Sequence, residues 1–192
     1  MVQELRNSDT TLKTKMNLMD WLARNSEFLS PEAITKCLMA YKELYNFENL
    51  AQRNTYIKAK TNSEAIITVS NLINHANKLQ RGDETNSRLA ILLSIYEPLL
   101  INDYNLERAL QPKYRIVEVL SGIVKMPQNL KRAFLEVEED DPRTKVPVHL
   151  KYAIRCLTSC MRSNNGVTTF VSSQSAVGQV LEFLEFTKDE EI

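Results

Sequence analysis

Residues 154–171 read IRCLTSCMRSNNGVTTFV, a stretch with two cysteines, one methionine, one glycine and little charge. Cys156 and Cys160 are spaced i, i+4, so on a helix they share one face, and His149 stands about two turns earlier. Two readings are open. The three side chains are metal ligands, or the sulphurs are packing atoms in one element of a helical stack. Structural zinc patterns bring two ligand pairs together across a turn. Besides these three residues the chain offers only Cys37 and His75 as further Cys or His ligands. Free cysteine is among the most buried residue types, and Ile154, Leu157 and Met161 share or flank the same face. Packing is therefore the favoured reading, with a redox-sensitive thiol as a third alternative.

The rest of the chain is punctuated for helix. SPEAITKCLMAYKELY sets Ser30 as N-cap before Pro31 and Glu32, with Ile34, Cys37, Leu38, Tyr41 and Leu44 at helical spacing. TNSEAIITVSNLINHANKLQRG places Thr61 three residues before Glu64, a capping-box pattern, and is expected to end at Gly82. Apolar residues run almost unbroken from Leu89 to Leu100, which predicts a buried helix that Pro98 kinks or ends. PKYRIVEVLSGIVK and PQNLKRAFLEVEED read as short helices opened by prolines, and DDPRTKVP as a loop. VHLKYAIRCLTSCMRS, GVTTFVSS and SAVGQVLEFLEF complete the series, and no stretch reads as a strand. With Gly at 4 and Pro at 6 in 192 residues, a turn-rich sandwich or barrel is disfavoured.

An internal repeat emerges when Leu92 to Leu120 is set over Ala153 to Leu181 without gaps, an offset of 61 residues from Leu92 to Ala153. Leu93 then meets Ile154, Leu100 meets Met161, Leu106 meets Val167 and Ala109 meets Phe170, while Val119/Val180 and Leu120/Leu181 are identical pairs. Both copies read long helix, short helix, helix, the rhythm of armadillo-type units of about 40 residues. The expected fold is all-α, an irregular armadillo/HEAT-like helical array, with a compact orthogonal helical bundle as the alternative. Residues 1–192 read as one domain, with a sub-boundary near 81–87 and a disordered acidic tail at 188–192.

Composition narrows the function. Lys+Arg and Asp+Glu are both 24, so the formal charge is zero and the basic excess of a duplex binder is missing. Three cysteines without framework spacing point to reduced thiols. The N-terminus lacks a secretory pattern, and no apolar run approaches the roughly 20 residues of a membrane span. The expected location is cytoplasmic or nuclear. No Gly-x-Ser-x-Gly, Cys/His signature or phosphate-cradling loop is found, so no catalytic residue and no cofactor are assigned. The carboxylates Glu136, Glu138, Glu139, Asp140 and Asp141 read as a solvated helix end, or as an acidic patch for a basic partner.

At AIRCLTSCMRSNNGVTTFV, residues 153–184 come to resemble the armadillo-like N-terminal regulatory region of diaphanous-type formins. The positions that carry it are Ile154, Arg155, Cys156, Leu157, Met161, Gly166, Val167, Thr169, Phe170 and Val171. In this reading Gly166 closes the long helix in a left-handed conformation and Val167 opens the next. The resemblance implies a protein-binding surface, in some members for a small GTPase, and no catalysis.

The expectation is thus an adaptor whose stacked helices hold a groove for a partner helix or acidic peptide. Lys151 and Arg155, at i, i+4 spacing, with Arg162 seven residues after Arg155, are its candidate lining. Trp21, within the Met- and Leu-rich MNLMDWLARNSEFL, is a further candidate contact. A nucleic-acid- or chromatin-associated factor using the same basic face is the alternative, and a metal protein at His149, Cys156 and Cys160 is a second. Leu181, Phe183, Leu184 and Phe186 make the last helix apolar on more than one side, which points to a subunit contact there.

Overall fold

Apolar residues three and four apart force each segment to coil and to bury one stripe. The structure is a computed structural model; it describes residues 62–79, 82–125, 127, 128, 130–132 and 145–186, with the isolated positions 21, 25, 30, 33, 36 and 39. Among the described residues every regular element is a helix: α1 (Asn62–Lys78), α2 (Asp83–Leu99), α3 (Asp103–Ala109), α4 (Ile116–Val124), α5 (Val148–Cys160), α6 (Asn164–Ser172) and α7 (Gln174–Phe186). A further helical segment follows Pro127, whose carbonyl accepts from the backbone amides of Leu130 and Lys131 at 3.1 and 3.0 Å. The all-helical expectation holds.

The packing repeats along the chain. α1 packs on α2, α3 and α4, and α4 in turn packs on α5, α6 and α7. α2 also lies against α5. One apolar cluster runs through the stack, from Ile66, Val69 and Ile73 of α1 through Leu92, Leu93 and Tyr96 of α2 and Leu120 of α4 to Leu150, Ile154 and Leu157 of α5. The turn from the long to the short helix keeps the same 61-residue offset in both units. Leu100 and Met161 are the C-caps of α2 and α5, and Asn102 and Ser163 are the N-caps of α3 and α6. Asn102 accepts from the backbone amide of Asn105 and Ser163 from that of Asn165, each at 3.2 Å. Polar contacts lace the core: the buried Tyr96 hydroxyl and Ser70 Oγ lie 2.8 Å apart, and Ser70 Oγ donates to the Ile66 carbonyl at 2.7 Å. Since the serine proton is committed to that carbonyl, Tyr96 donates to Ser70.

At the end of each long helix the chain must meet the unpaired carbonyls of the last turn while it reverses direction. The two units solve this differently at equivalent positions. In the first, the side-chain amide of buried Asn105 donates to the Leu99 carbonyl at 3.2 Å. In the second, the equivalent pair is Gly166 and Cys160, and the backbone itself closes in. A Cβ on Gly166 would lie 1.9 Å from the Cys160 carbonyl oxygen. Gly166 is therefore needed for close approach. It is not a left-handed terminator as the sequence had implied: no described glycine has positive φ, and Gly166 sits inside α6, which starts at Asn164.

Other local expectations shift for physical reasons. Gly82 does not close α1, which ends at Lys78; it stands as the extended N-cap of α2 at φ −173°. Pro112 does not open α4. It lies in the turn before it, and α4 follows Arg115, whose φ of 48° is the left-handed value among described non-glycine residues. Pro98 falls in the last turn of α2, which stops one residue later. The amide of Ala33 donates to Ser30 Oγ at 3.2 Å, as an N-cap requires. Thr61, Pro31, Glu32, Cys37, most of the 16–29 apolar cluster, the 136–141 carboxylates and the 188–192 tail lie outside the described residues, as do the side chains of Glu64 and Phe186.

Two substitutions test this reversal. Gly166→Ala is expected to destabilise the fold by about 3 kcal/mol, because backbone atoms rather than a flexible side chain must move. Asn105→Ala is expected to cost about 1–2 kcal/mol by leaving the buried Leu99 carbonyl unmet. Urea denaturation followed by circular dichroism measures both, and a Gly166→Ala protein as stable as the parent contradicts the close approach.

Candidate functional site

The α5 face that carries sulphur turns inward. Cys156 and Cys160 are both fully buried, and the Cys156 thiol points at the Leu93 carbonyl of α2 at 3.7 Å. Burial pushes the Cys156 thiol well up, with the neighbouring Cys160 and Glu97 adding to the effect. Burial likewise pushes Cys160 from 9.0 up to about 12. Burial also raises the Tyr96 hydroxyl, with the hydrogen bond to Ser70 opposing the shift. A thiol that resists ionisation is a poor nucleophile and a poor metal ligand. No group of three or more His, Cys, Asp or Glu side chains placed to hold a metal ion occurs among the described residues, so His149, Cys156 and Cys160 are not brought together as ligands. His149 is buried at the N-terminal end of α5, on the wall of a cleft of about 670 Å³ that also touches Asp83, Asn86 and Ser87 of α2.

The polar side of α5 divides the basic candidates. Lys151 is half-buried and Arg155 exposed, one turn apart on the helix. Arg162 lies beyond the helix end, past the Met161 cap, so it leaves their stripe. Its guanidinium reaches back to the first unit, donating to the Ile101 carbonyl at 3.3 Å through both terminal nitrogens and to Asp103 at 3.0 Å. A cation there meets the negative end of α2. Beside it Ser163 and Asn165 donate to the two carboxylate oxygens of Glu107, at 2.7 and 3.2 Å. Arg162 thus joins a polar clasp between units. Trp21 is half-exposed, and its carbonyl accepts from the Asn25 backbone and side-chain amides at 3.0 and 2.8 Å.

A second concavity, of about 580 Å³, lies between α1 and α4. His75 and Lys78 of α1 face Lys113, Arg115 and Glu118 across it. Asn74 holds the far wall by donating to the Tyr114 carbonyl at 3.0 Å, and Lys113 lies over the Tyr114 ring at 4.8 Å. Arg115, held left-handed, pairs with Glu118 at 3.6 Å. Such a cleft suits an anionic side chain flanked by neutral amides. Sequence reading missed it because its cations come from segments some 35 to 40 residues apart; the adjacent positives in PKYR were the one available signal.

No described helix is long and apolar enough to cross a membrane. No protein-family description, curated protein or solved structure matches the chain.

The sealed thiols yield a prediction with a definite sign. Between pH 9.0 and about 12 an unfolded chain releases the Cys160 proton while the folded chain keeps it, so stability falls as pH rises through that window and is fully present below it. The urea midpoint is expected to decline above pH 9, with Cys160 contributing up to about 1.4 kcal/mol per pH unit. The decline is expected to be shallower in Cys160→Ala. In a Cys37→Ser background, a thiol reagent at pH 8 is expected to modify Cys156 and Cys160 only after denaturant is added; rapid labelling of the native protein contradicts the sealed arrangement.

Proposed function

We propose that this chain is a non-enzymatic protein-interaction scaffold, an irregular armadillo- or HEAT-like array that presents a groove on stacked helices. The observation that carries the reading is the recurrence of packing. α1 closes on α2, α3 and α4, and α4 closes on α5, α6 and α7, with caps and reversals at the same offset. Stacks of this kind are rigid over many helices and offer extended surfaces, and that is how such arrays bind partners. Rigid presentation lowers the ordering cost of association.

The partner that fits best is an acidic peptide or helix. Lys151 and Arg155 place positive charge on the outer side of α5, and the cleft between α1 and α4 adds Lys78, Lys113 and Arg115. Complementary charge would speed encounter and fix register more than it would raise affinity. The likeness of residues 153–184 to formin regulatory regions supports a regulatory setting, such as a cytoskeletal or small-GTPase pathway. The buried thiols support the sulphur-as-packing reading that underlies it.

Affinity purification from cells with the parent chain and with Lys151→Glu/Arg155→Glu provides the test. A partner recovered with the parent is expected to fall at least tenfold with the reversed variant, at unchanged circular dichroism. Undiminished recovery overturns the basic-face reading. Salt-steep binding of a generic oligonucleotide, lost in the same variant, would replace a protein partner with nucleic acid.

A further inference from the structure

Equivalent aliphatic residues in the two units have different surroundings. Leu106, Leu120 and Ile123 of the first unit are 2%, 0% and 2% exposed. Their counterparts at the 61-residue offset, Val167, Leu181 and Leu184, are 42%, 61% and 52% exposed. Val171, the counterpart of half-buried Leu110, is 65% exposed. The sequence type is conserved between the copies, aliphatic for aliphatic, while the burial is not.

The neighbours explain the contrast. α4 packs against α1 and against α5, α6 and α7. α7 packs on α4 and α6. Along α7 the inward stripe is Ala176, Val180 and Phe183, of which Ala176 and Phe183 are buried. A second stripe, Val177, Leu181 and Leu184, runs beside it at the same i, i+4, i+7 spacing; Leu181 and Leu184 are exposed and Val177 is half-buried. A surface helix with one buried face carries polar residues elsewhere. Here the apolar arc extends well past the edge of the buried stripe, as it does on α4, where the extra arc is covered.

We propose that the Val177–Leu181–Leu184 stripe, with Val167 and Val171 of α6, is a docking site for an amphipathic helix of another protein. This deepens the scaffold reading and rests on it. The occupant follows from the molecule's own solution to the same problem: the long helix laid on α4 is α5. Its inward stripe is Leu150, Ala153, Ile154 and Leu157. The partner helix therefore carries aliphatic residues in that i, i+3, i+4, i+7 pattern, and lies on α7 as α5 lies on α4. Exposed Glu185, next to the stripe, favours a lysine or arginine on the flank of that helix.

The chain supplies its own probe. A fluorescein-labelled peptide of residues 147–161, with both cysteines replaced by alanine, is titrated with the full chain and followed by anisotropy. Saturable binding with a dissociation constant on the order of tens of micromolar is expected. Leu181→Glu/Leu184→Glu is expected to weaken it at least tenfold, and Val171→Glu severalfold. Both variants are expected to keep parental circular dichroism, because the substituted side chains already face solvent. Lys151→Glu/Arg155→Glu is expected to bind the peptide as the parent does, so failure here and failure of the basic-face reading are told apart. Absence of saturable binding, or equal binding by the Leu181→Glu/Leu184→Glu variant, overturns the proposal. Sedimentation showing a parental dimer that becomes monomeric in that variant also overturns it, by making a second copy of the chain the occupant.

Discussion

A long helix that ends inside a protein leaves its last carbonyls without partners, and everything after Leu99 and Cys160 is arranged around that constraint. The short helix that follows must return over the end it has just left. Asn105 does so by reaching the Leu99 carbonyl with its side-chain amide; Gly166 does so by having no side chain to keep the backbone away from Cys160. Either device lets the short helix fold back at the end of the long one, and the third helix of the unit packs against the equivalent helix of the unit before, α4 on α1 and α7 on α4.

Once the reversals are fixed, polar groups near them become shared property of adjacent units. Arg162 belongs in sequence to the second unit, yet its guanidinium rests on Asp103 and on the Ile101 carbonyl of the first. Glu107 of α3 receives Ser163 and Asn165 from the α5–α6 turn. Lys131, in the segment after Pro127, pairs with Glu182 of α7. Exposed ion pairs contribute little singly. Their value here is positional: they hold the turn of one unit to the start of another while the apolar cluster supplies the cohesion. The same closure removes the thiols from solvent chemistry and leaves the outer side of α5 and the far side of α7 as surfaces.

Helix type and order were readable because they depend on near neighbours. Residues three and four apart share a face, and Ser30 or Asn102 caps a helix through its own local amides. The long–short–third rhythm and its offset were visible in the apolar pattern of Leu92–Leu120 against Ala153–Leu181. Glycine and proline were read less well. Gly82 and Gly166 both looked like terminators, because local rules give glycine a conformational role. At Gly166 the cause is steric and involves a carbonyl six residues back, which no propensity encodes. The candidate surface divided in the same way. Lys151 and Arg155 remain together because they are one helical turn apart, whereas Arg162 falls past the cap and is taken up by a residue 59 positions away.

By itself the sequence determined that the described part of the chain is helical, where its long helices run, and that its central cysteines sit on an apolar stripe. These follow from periodicity and capping, which act over a few residues. Only the tertiary structure decided which apolar stripes are closed and which stay open. Leu120 and Leu181 are identical residues at equivalent places, one sealed and the other exposed. The difference lies in whether another helix packs beyond them, and hydrophobic burial depends on that neighbour as much as on the residue.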